Sequence, residues 1–486
     1  MLVHRFVRVF TFSCAAGVSA RGSPGKPLPL RDEYLPHRFV LVFGFLFGAS
    51  LVFLSPPFSV PDEPAHFCRA YHCSEGKLYA KKGDGVAGDE LPASLADTVA
   101  MFDSQDVSGN RFRTSWTRIK SASGIALEPQ RRQFISFSNT ALYSPVPYLP
   151  QSLAIGVARL CRLPPLAMFY LARMANLIAY LLLTAVAVRV IPIHKWTLAM
   201  VALMPTAVYL GASLSADAMT LGVALLVLAV VLNLALRGDG PVRRGLLAVG
   251  FLLVFLALSK QAYVGLALLC FMVPGKRFSS PATRWLLAVI LIGVPLAIDA
   301  AWTYSLRGLY VPMLPRTEHV YVDPPAQVGW ILAHPGTYAV MLLKAVYGNI
   351  DCLSMVGTFG WLEAHLPHWT RVAYWIVLGT TAVLDGGNPL PLNLRARVVA
   401  AITYLFTFAV MSTFVYLSWT SVGAPSIDGT QPRYFLPIVP LLLLLPRGGA
   451  RLAASRFSRA VVPVAAMSMT IVAAAVTWCT MVKNYY

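Results

Sequence analysis

The chain of 486 residues carries 57% hydrophobic and only 13% charged side chains, with a mean hydropathy of +0.63. Roughly a quarter of the residues in an ordinary soluble domain are charged, so that class is excluded and the composition is that of an all-α polytopic membrane protein. The formal charge of +19 falls in short basic clusters between apolar runs, which fits cytoplasmic loops better than a nucleic-acid surface. The seven cysteines, at 14, 68, 73, 161, 270, 352 and 479, form no CxxC pair, and their spacing implies neither a zinc site nor a disulfide framework.

Residues 1–37 read as a cytoplasmic N-terminal arm. Early arginines, a short apolar stretch and Gly-Val-Ser-Ala before Arg21 faintly resemble a signal peptide, although an uncleaved basic arm explains the same residues. Residues 38–54 form the first apolar run, about long enough to cross a bilayer. The stretch Ser55-Pro-Pro-Phe-Ser-Val-Pro-Asp-Glu-Pro-Ala-His-Phe follows at once, placing Asp62, Glu63 and His66 where the membrane ends. Pro64 suits a first helical turn and Asp62 or Glu63 its cap, so Asp62 and His66 share a face at i, i+4 spacing. Capping alone needs one carboxylate and no histidine, and this cluster therefore also reads as a catalytic base or metal ligand facing a lipid-linked substrate.

A polar tract, 56–139, lies outside the membrane and belongs to a first periplasmic loop, 56–165. Residues 145–163 are apolar but flanked by prolines and arginines. Read as a juxtamembrane helix rather than a span, they leave Arg189, Lys195, Arg237, Arg243, Arg244, Lys276, Arg277, Arg284, Arg395, Arg397, Arg447, Arg451, Arg456 and Arg459 on the cytoplasmic side, opposed there only by Asp239 and Asp385. The further spans are then 166–190, 196–213, 217–236, 245–258, 262–273, 285–304, 372–384, 398–417, 434–445 and 461–482, about eleven in all, with the N-terminus inside and the C-terminus outside. A second large periplasmic loop, 305–370, holds a short apolar piece at 338–346 that reads as re-entrant or interfacial. No internal repeat or separate soluble domain is apparent.

This topology gathers polar residues on one membrane face: Asp62, Glu63 and His66; Ser213, Ser215 and Asp217 in Leu-Ser-Ala-Asp-Ala; Lys260 and Tyr263 in Ser-Lys-Gln-Ala-Tyr; and Arg433 and Tyr434 in Gln-Pro-Arg-Tyr-Phe-Leu-Pro. Singly, Asp217 reads as a helix cap, and Lys260 and Arg433 as residues that snorkel or bind lipid headgroups. Together they read as a site, since an ionisable residue beside a span is costly unless paired or facing a wet cavity.

These same pieces, with Tyr143-Ser-Pro-Val-Pro-Tyr-Leu-Pro-Gln and Phe359-Gly-Trp-Leu, resemble the bacterial membrane family DUF2142 over most of the chain. That family in turn resembles the C-type glycosyltransferase superfamily, whose members use polyprenyl-phosphate-linked sugars and place an acid in the first outer loop. The resemblance implies a multi-pass protein of the bacterial cytoplasmic membrane with a periplasmic active face, acting on a polyprenyl-phosphate-linked sugar and a glycan or lipid acceptor. Asp62 or Glu63 is then the catalytic base or a ligand of a divalent metal, Mg or Mn, and Asp217 a second acid. The chain departs from the superfamily in having no large C-terminal periplasmic domain and no Asp-x-Asp at either acid, which leaves metal dependence open.

Sugar transfer needs a base near the attacking hydroxyl and positive charge near the departing phosphate. Asp62 or Glu63 supplies the first; Lys260 and Arg433 supply the second, with His66, Tyr263 and Tyr434 as further substrate contacts. Of the adjacent acids, Asp62 is favoured as base and Glu63 as cap or metal ligand. A lipid-linked oligosaccharide transporter or flippase, a polysaccharide polymerase or ligase, and a non-catalytic assembly partner are the alternatives.

Overall fold

A computed structural model describes residues 35–102, 113–237, 242–311, 321–348, 352–385, 392–446 and 455–486. Most of the N-terminal arm, with Asp239, Arg447 and Arg451, lies outside the described residues. Among those described, seven helices are long and apolar enough to cross a membrane. They are α1 (Leu35–Leu54), α4 (Pro165–Val190), α7 (Ala216–Leu236), α8 (Val242–Ser259), α9 (Pro281–Ser305), α13 (Leu394–Trp419) and α15 (Arg456–Tyr485). The chain is a polytopic membrane protein.

Helix α7 is the axis of the bundle, 83% buried, whereas α9 is 17% buried and lies at its edge. Without a hydrophobic drive between helices in lipid, association depends on close packing. Gly44 and Gly48, four residues apart on α1, allow this: a Cβ on either would run into Leu181 or Leu177 of α4.

Three expected spans take other forms, and a fourth is a continuous helix. Residues 196–213 are two short helices, α5 (Lys195–Ala202) and α6 (Pro205–Gly211). Pro205 forces Met204 extended and breaks the hydrogen-bond ladder. Such a break is tolerated at membrane depth only inside protein, and every residue from 196 to 211 is buried. Carbonyls near the break are taken up by tyrosines, Tyr374 OH donating to Met200 O at 2.6 Å and Tyr180 OH to Ala202 O at 2.7 Å. Residues 262–273 fall in a 3-10 helix, Gln261–Met272. The piece at 434–445, punctuated by Pro437 and Pro440, becomes the 3-10 turn Pro432–Phe435 and α14 (Val439–Leu443). The segment at 372–384 is a continuous 18-residue helix, α12 (His368–Asp385), with Arg371 and Asp385 near its ends.

The first loop refines the all-α expectation, because it holds a small antiparallel sheet. Strands β1 (Lys81–Gly83), β2 (Val86–Pro92) and β3 (Arg132–Ser136) lie in that order, with Gly83 paired to Val86 and Asp89 to Ile135. Asp84 and Gly85 both have positive φ, the requirement of a tight two-residue hairpin turn. Asp89, buried, receives Lys77 at 2.9 Å and Lys81 at 3.0 Å, and these pairs tie the sheet to the end of α2 (Glu63–Ser74). Residues 145–163 contain α3 (Leu149–Leu160), with Leu149, Leu153, Val157 and Leu160 exposed along one stripe. In the second loop, α10 (Pro324–Ala333) and α11 (Pro335–Gly348) follow one another across His334, and Tyr338 shares a 2.6 Å hydrogen bond with Thr413 of α13.

Basic residues gather at one end of the bundle. Arg284 and Arg395 both donate to Phe271 O at 3.0 Å, and Arg277 reaches Leu234 O at 3.4 Å. Asp62, Glu63 and Asp217 lie together at the other end, near Lys260.

Candidate functional site

The site is built around a buried ion pair. Glu63 opens α2, and Arg173 lies within α4; both are fully buried. Arg173 Nε donates to Glu63 Oε1 at 2.8 Å and Nη2 to Oε2 at 2.6 Å, while its remaining donors reach Val52 O, Ser55 O and Pro56 O at 2.8–3.1 Å. The amide of Leu214 also donates to Glu63 Oε1, at 2.9 Å. One ion pair thus fastens the end of α1 and the start of α2, through the guanidinium, and the turn before α7, through the carboxylate. Glu63, expected as a catalytic or metal-binding acid, has both oxygens engaged and no exposed surface; its position is structural.

The consequence falls on its neighbour. Asp62 is held with φ +62, a left-handed conformation that aspartate tolerates better than most residues. It occupies the cap position of α2, yet its side chain caps nothing. Its Oδ1 instead accepts from Asn139 Nδ2 at 2.6 Å. His66, one turn on, bonds through Nδ1 to Tyr148 OH at 2.7 Å. Burial holds the imidazole neutral, pushing its pKa down to about 4 against the opposing pull of Asp62 and Asp217.

The Leu-Ser-Ala-Asp turn is pinned from below. Asn176 Nδ2 donates to Ser213 O at 2.7 Å, Gln151 Nε2 to Ser215 O at 3.1 Å, and Ser215 Oγ caps α7 by accepting from the Asp217 amide at 3.0 Å. Ser215 therefore does the capping, which leaves the Asp217 carboxylate to face two cations. Lys260 pairs with Asp217 Oδ1, and Arg433 Nε lies 3.6 Å from Oδ2. The ammonium also sits 4.8 Å over the Tyr434 ring, whose backbone carbonyl accepts from Tyr263 OH at 2.6 Å. Arg433 Nε is buried with no hydrogen-bond partner. A cleft lined by Asp217, Tyr263, Arg433, Leu221, Leu436 and Pro437 opens beside it.

Asp62, His66, Asp217, Lys260 and Arg433 therefore lie within electrostatic reach of one another, although they come from four stretches of sequence. Tyr263 and Tyr434 belong to the same cluster, and Glu63 stands behind it. As arranged, the donors do not fit a divalent metal. No group of three His, Cys, Asp or Glu side chains among the described residues can hold an ion, and both oxygens of Asp217 already face cations. The arrangement can take a proton at Asp62 and hold an anionic oxygen against Arg433 and Lys260.

Sequence reasoning missed Arg173, Asn176, Asn139 and Tyr148. The first two had a signal, an arginine and an asparagine three residues apart inside an apolar run, where an intramembrane charge is a functional candidate by default. Asn139 and Tyr148 are ordinary loop residues in sequence, and only tertiary contacts single them out.

A helical bundle with interrupted segments and a charged cluster at one end defines a multi-pass membrane protein with a polar site at its membrane edge. The chain belongs to the family DUF2142, described as a predicted membrane protein, whose model matches residues 45–442. Every residue of the cluster lies inside that match. A comparison with curated proteins found no match.

Proposed function

We propose that this chain transfers a sugar from a polyprenyl-phosphate donor to a cell-envelope glycan or lipid acceptor at the periplasmic face of the bacterial cytoplasmic membrane. The observation that carries the reading is the buried Arg433 Nε beside Lys260, which makes no hydrogen bond and faces Asp217 Oδ2 only at 3.6 Å, so that a phosphate oxygen would complete it. In the reaction, the acceptor hydroxyl gives its proton to Asp62 as its oxygen bonds to the anomeric carbon. The bond from that carbon to the phosphate oxygen breaks, and polyprenyl phosphate leaves with the electron pair against Arg433 and Lys260. Neutral His66, held by Tyr148, is placed to accept or donate a hydrogen bond to substrate without competing for the proton. No step is routed through a metal.

The reading carries a topology. The seven long helices, α12 and the three interrupted segments make about eleven crossings in a C-type glycosyltransferase-like arrangement, with residues 56–165 and 305–370 periplasmic. A cysteine placed at Ser279 is expected to be shielded from an impermeant thiol reagent in intact cells and one at Ser426 labelled; reversed labelling would put the site on the wrong face.

Interrupted helices favour a second reading, a transporter or flippase for a lipid-linked oligosaccharide, because broken segments line substrate paths in such proteins. Reconstituted vesicles separate the two. A transferase releases polyprenyl phosphate from labelled donor when acceptor is present; a transporter moves the donor across the bilayer with its sugar still attached. Polymerase or ligase chemistry would instead release the carrier from a lipid-linked oligosaccharide.

A further inference from the structure

The basic end of the bundle holds an arrangement that helix electrostatics disfavour. Arg284 and Arg395 lie in the opening turns of α9 and α13, and neither helix has an acidic residue in its first turn. Both are capped by neutral side chains, Ser280 accepting from the Thr283 amide at 3.1 Å and Asn393 from the Ala396 amide at 2.8 Å. A helix N-terminus carries partial positive charge and favours anions, so each arginine stands where a carboxylate would be stabilising.

The two arginines also converge. Arg284 Nη2 and Arg395 Nη2 each donate to Phe271 O at 3.0 Å, so two guanidiniums share one neutral acceptor and these nitrogens stand no further apart than twice that distance. Among the described residues no carboxylate pairs with either, and Arg284 Nε is buried with no hydrogen-bond partner. Asp385, at the end of α12, serves α5 instead, accepting from the Trp196 and Thr197 amides at 2.8 and 3.0 Å. The turn before α9 brings further positive charge, since Gly275 lies against Arg284, a Cβ there standing 3.7 Å from Nη1, and Lys276 and Arg277 follow it.

Beside the pair the surface is apolar and bare. Trp285, Leu286 and Val289 on α9, with Leu394 and Val398 on α13, are exposed, and α9 is the least buried of the seven long helices. Phe271 joins the two zones: the Arg284 guanidinium lies 5.8 Å from its ring centroid, and the Trp285 ring packs against it at 5.3 Å. Paired cations bordered by bare apolar side chains match a molecule with an anionic head and hydrocarbon chains better than a soluble anion.

We propose that Arg284 and Arg395 hold the phosphate of an anionic phospholipid whose acyl chains lie along α9 and α13. A phosphate offers oxygens to two guanidiniums at once, cancels the repulsion between them and supplies the negative charge that both helix N-termini lack. Basic pockets between membrane helices take lipid headgroups in this way. The site lies at the opposite end of the bundle from Asp217 and Arg433 and is independent of the transfer reading.

The test is native mass spectrometry of the full-length protein in detergent, titrated with dioleoyl phosphatidylglycerol or dioleoyl phosphatidylcholine, and with inorganic phosphate as competitor in a third arm. Wild type is expected to bind phosphatidylglycerol about tenfold or more tightly than phosphatidylcholine, and millimolar phosphate should leave that preference intact. Arg284→Gln and Arg395→Gln should each lose about fivefold in phosphatidylglycerol affinity, with phosphatidylcholine binding unchanged as the report that they fold. Arg243→Gln, at an exposed arginine of α8, should behave as wild type. Equal wild-type affinity for the two lipids, or as large a loss from Arg243→Gln as from Arg284→Gln, would overturn the site and leave only general basic charge. Displacement of phosphatidylglycerol by inorganic phosphate would overturn the lipid in favour of a soluble anion.

Discussion

Two carboxylates in this bundle each meet a guanidinium, and they are built to opposite ends. Glu63 and Arg173 are fully buried, bonded through two parallel contacts, and every arginine donor is used. Asp217 and Arg433 stand 3.6 Å apart, beyond hydrogen-bond distance, 17% and 13% exposed, with a cleft beside them. Satisfied charge is scaffold; charge left incomplete beside a cavity is available to a ligand. The closed pair holds in register the segments that carry the open one.

The comparison breaks most visibly at Arg173. Arg173→Ala leaves Glu63 charged and alone in the interior, at a cost of about 3–5 kcal/mol, and should yield little monodisperse protein in detergent. Arg173→Met combined with Glu63→Leu should recover much of the folded yield, since removing both charges avoids the stranded one. Equal yields from the single and double variants would show that the pair is not the anchor described.

At the open site the effect should be on turnover instead. Asp62→Asn preserves the left-handed backbone, which asparagine also tolerates, so the melting temperature should hardly move while sugar transfer falls by about 10²- to 10⁴-fold, the range for loss of a general base. Near-wild-type transfer would remove Asp62 from the reaction. Arg433→Lys keeps the charge but loses the planar fork, and a weakening of about 10- to 100-fold in donor KM is expected, with Arg433→Ala worse.

The smallest effect is in pH. His66 and His72 both have pKa values pushed down to about 4 by burial, below the ordinary imidazole value of about 6.5. The unfolded chain therefore binds more protons between these values, so their contribution is complete above about pH 6.5 and is lost as the pH falls toward 4. Thermal stability should drop across that window, and His66→Gln should flatten part of the drop. An unchanged slope in that variant would mean that His66 is not held neutral.

Much of this was legible in the sequence where a local rule was enough. Apolar length marked the seven long helices, and the coincidence of charged residues with span ends marked Asp62, Asp217, Lys260 and Arg433 as neighbours. The Asp84-Gly85 turn is equally legible as a two-residue hairpin signal, and it falls outside an all-α expectation. Other features depend on contacts no periodicity encodes. Residues 196–213 read as one span because their hydropathy is continuous, and the break at Pro205 is workable only because Tyr180 and Tyr374 reach its carbonyls from other helices. Asp62 and Glu63 are adjacent and chemically alike, and the choice between scaffold and site was made by Arg173, more than a hundred residues away.

The 3-10 segment Gln261–Met272 has a metrical consequence. Lys260 precedes its first residue, and the Phe271 carbonyl that collects Arg284 and Arg395 is near its last. At about 2.0 Å per residue it spans roughly 24 Å, where an α-helix of the same length would span about 18 Å. Rewinding it as α-helix would pull one end inward by about 6 Å, more than the reach of any salt bridge. The hydrogen-bond pitch of twelve residues is thus the ruler that sets Lys260 against Asp217 while the arginines at the far end stay where they are.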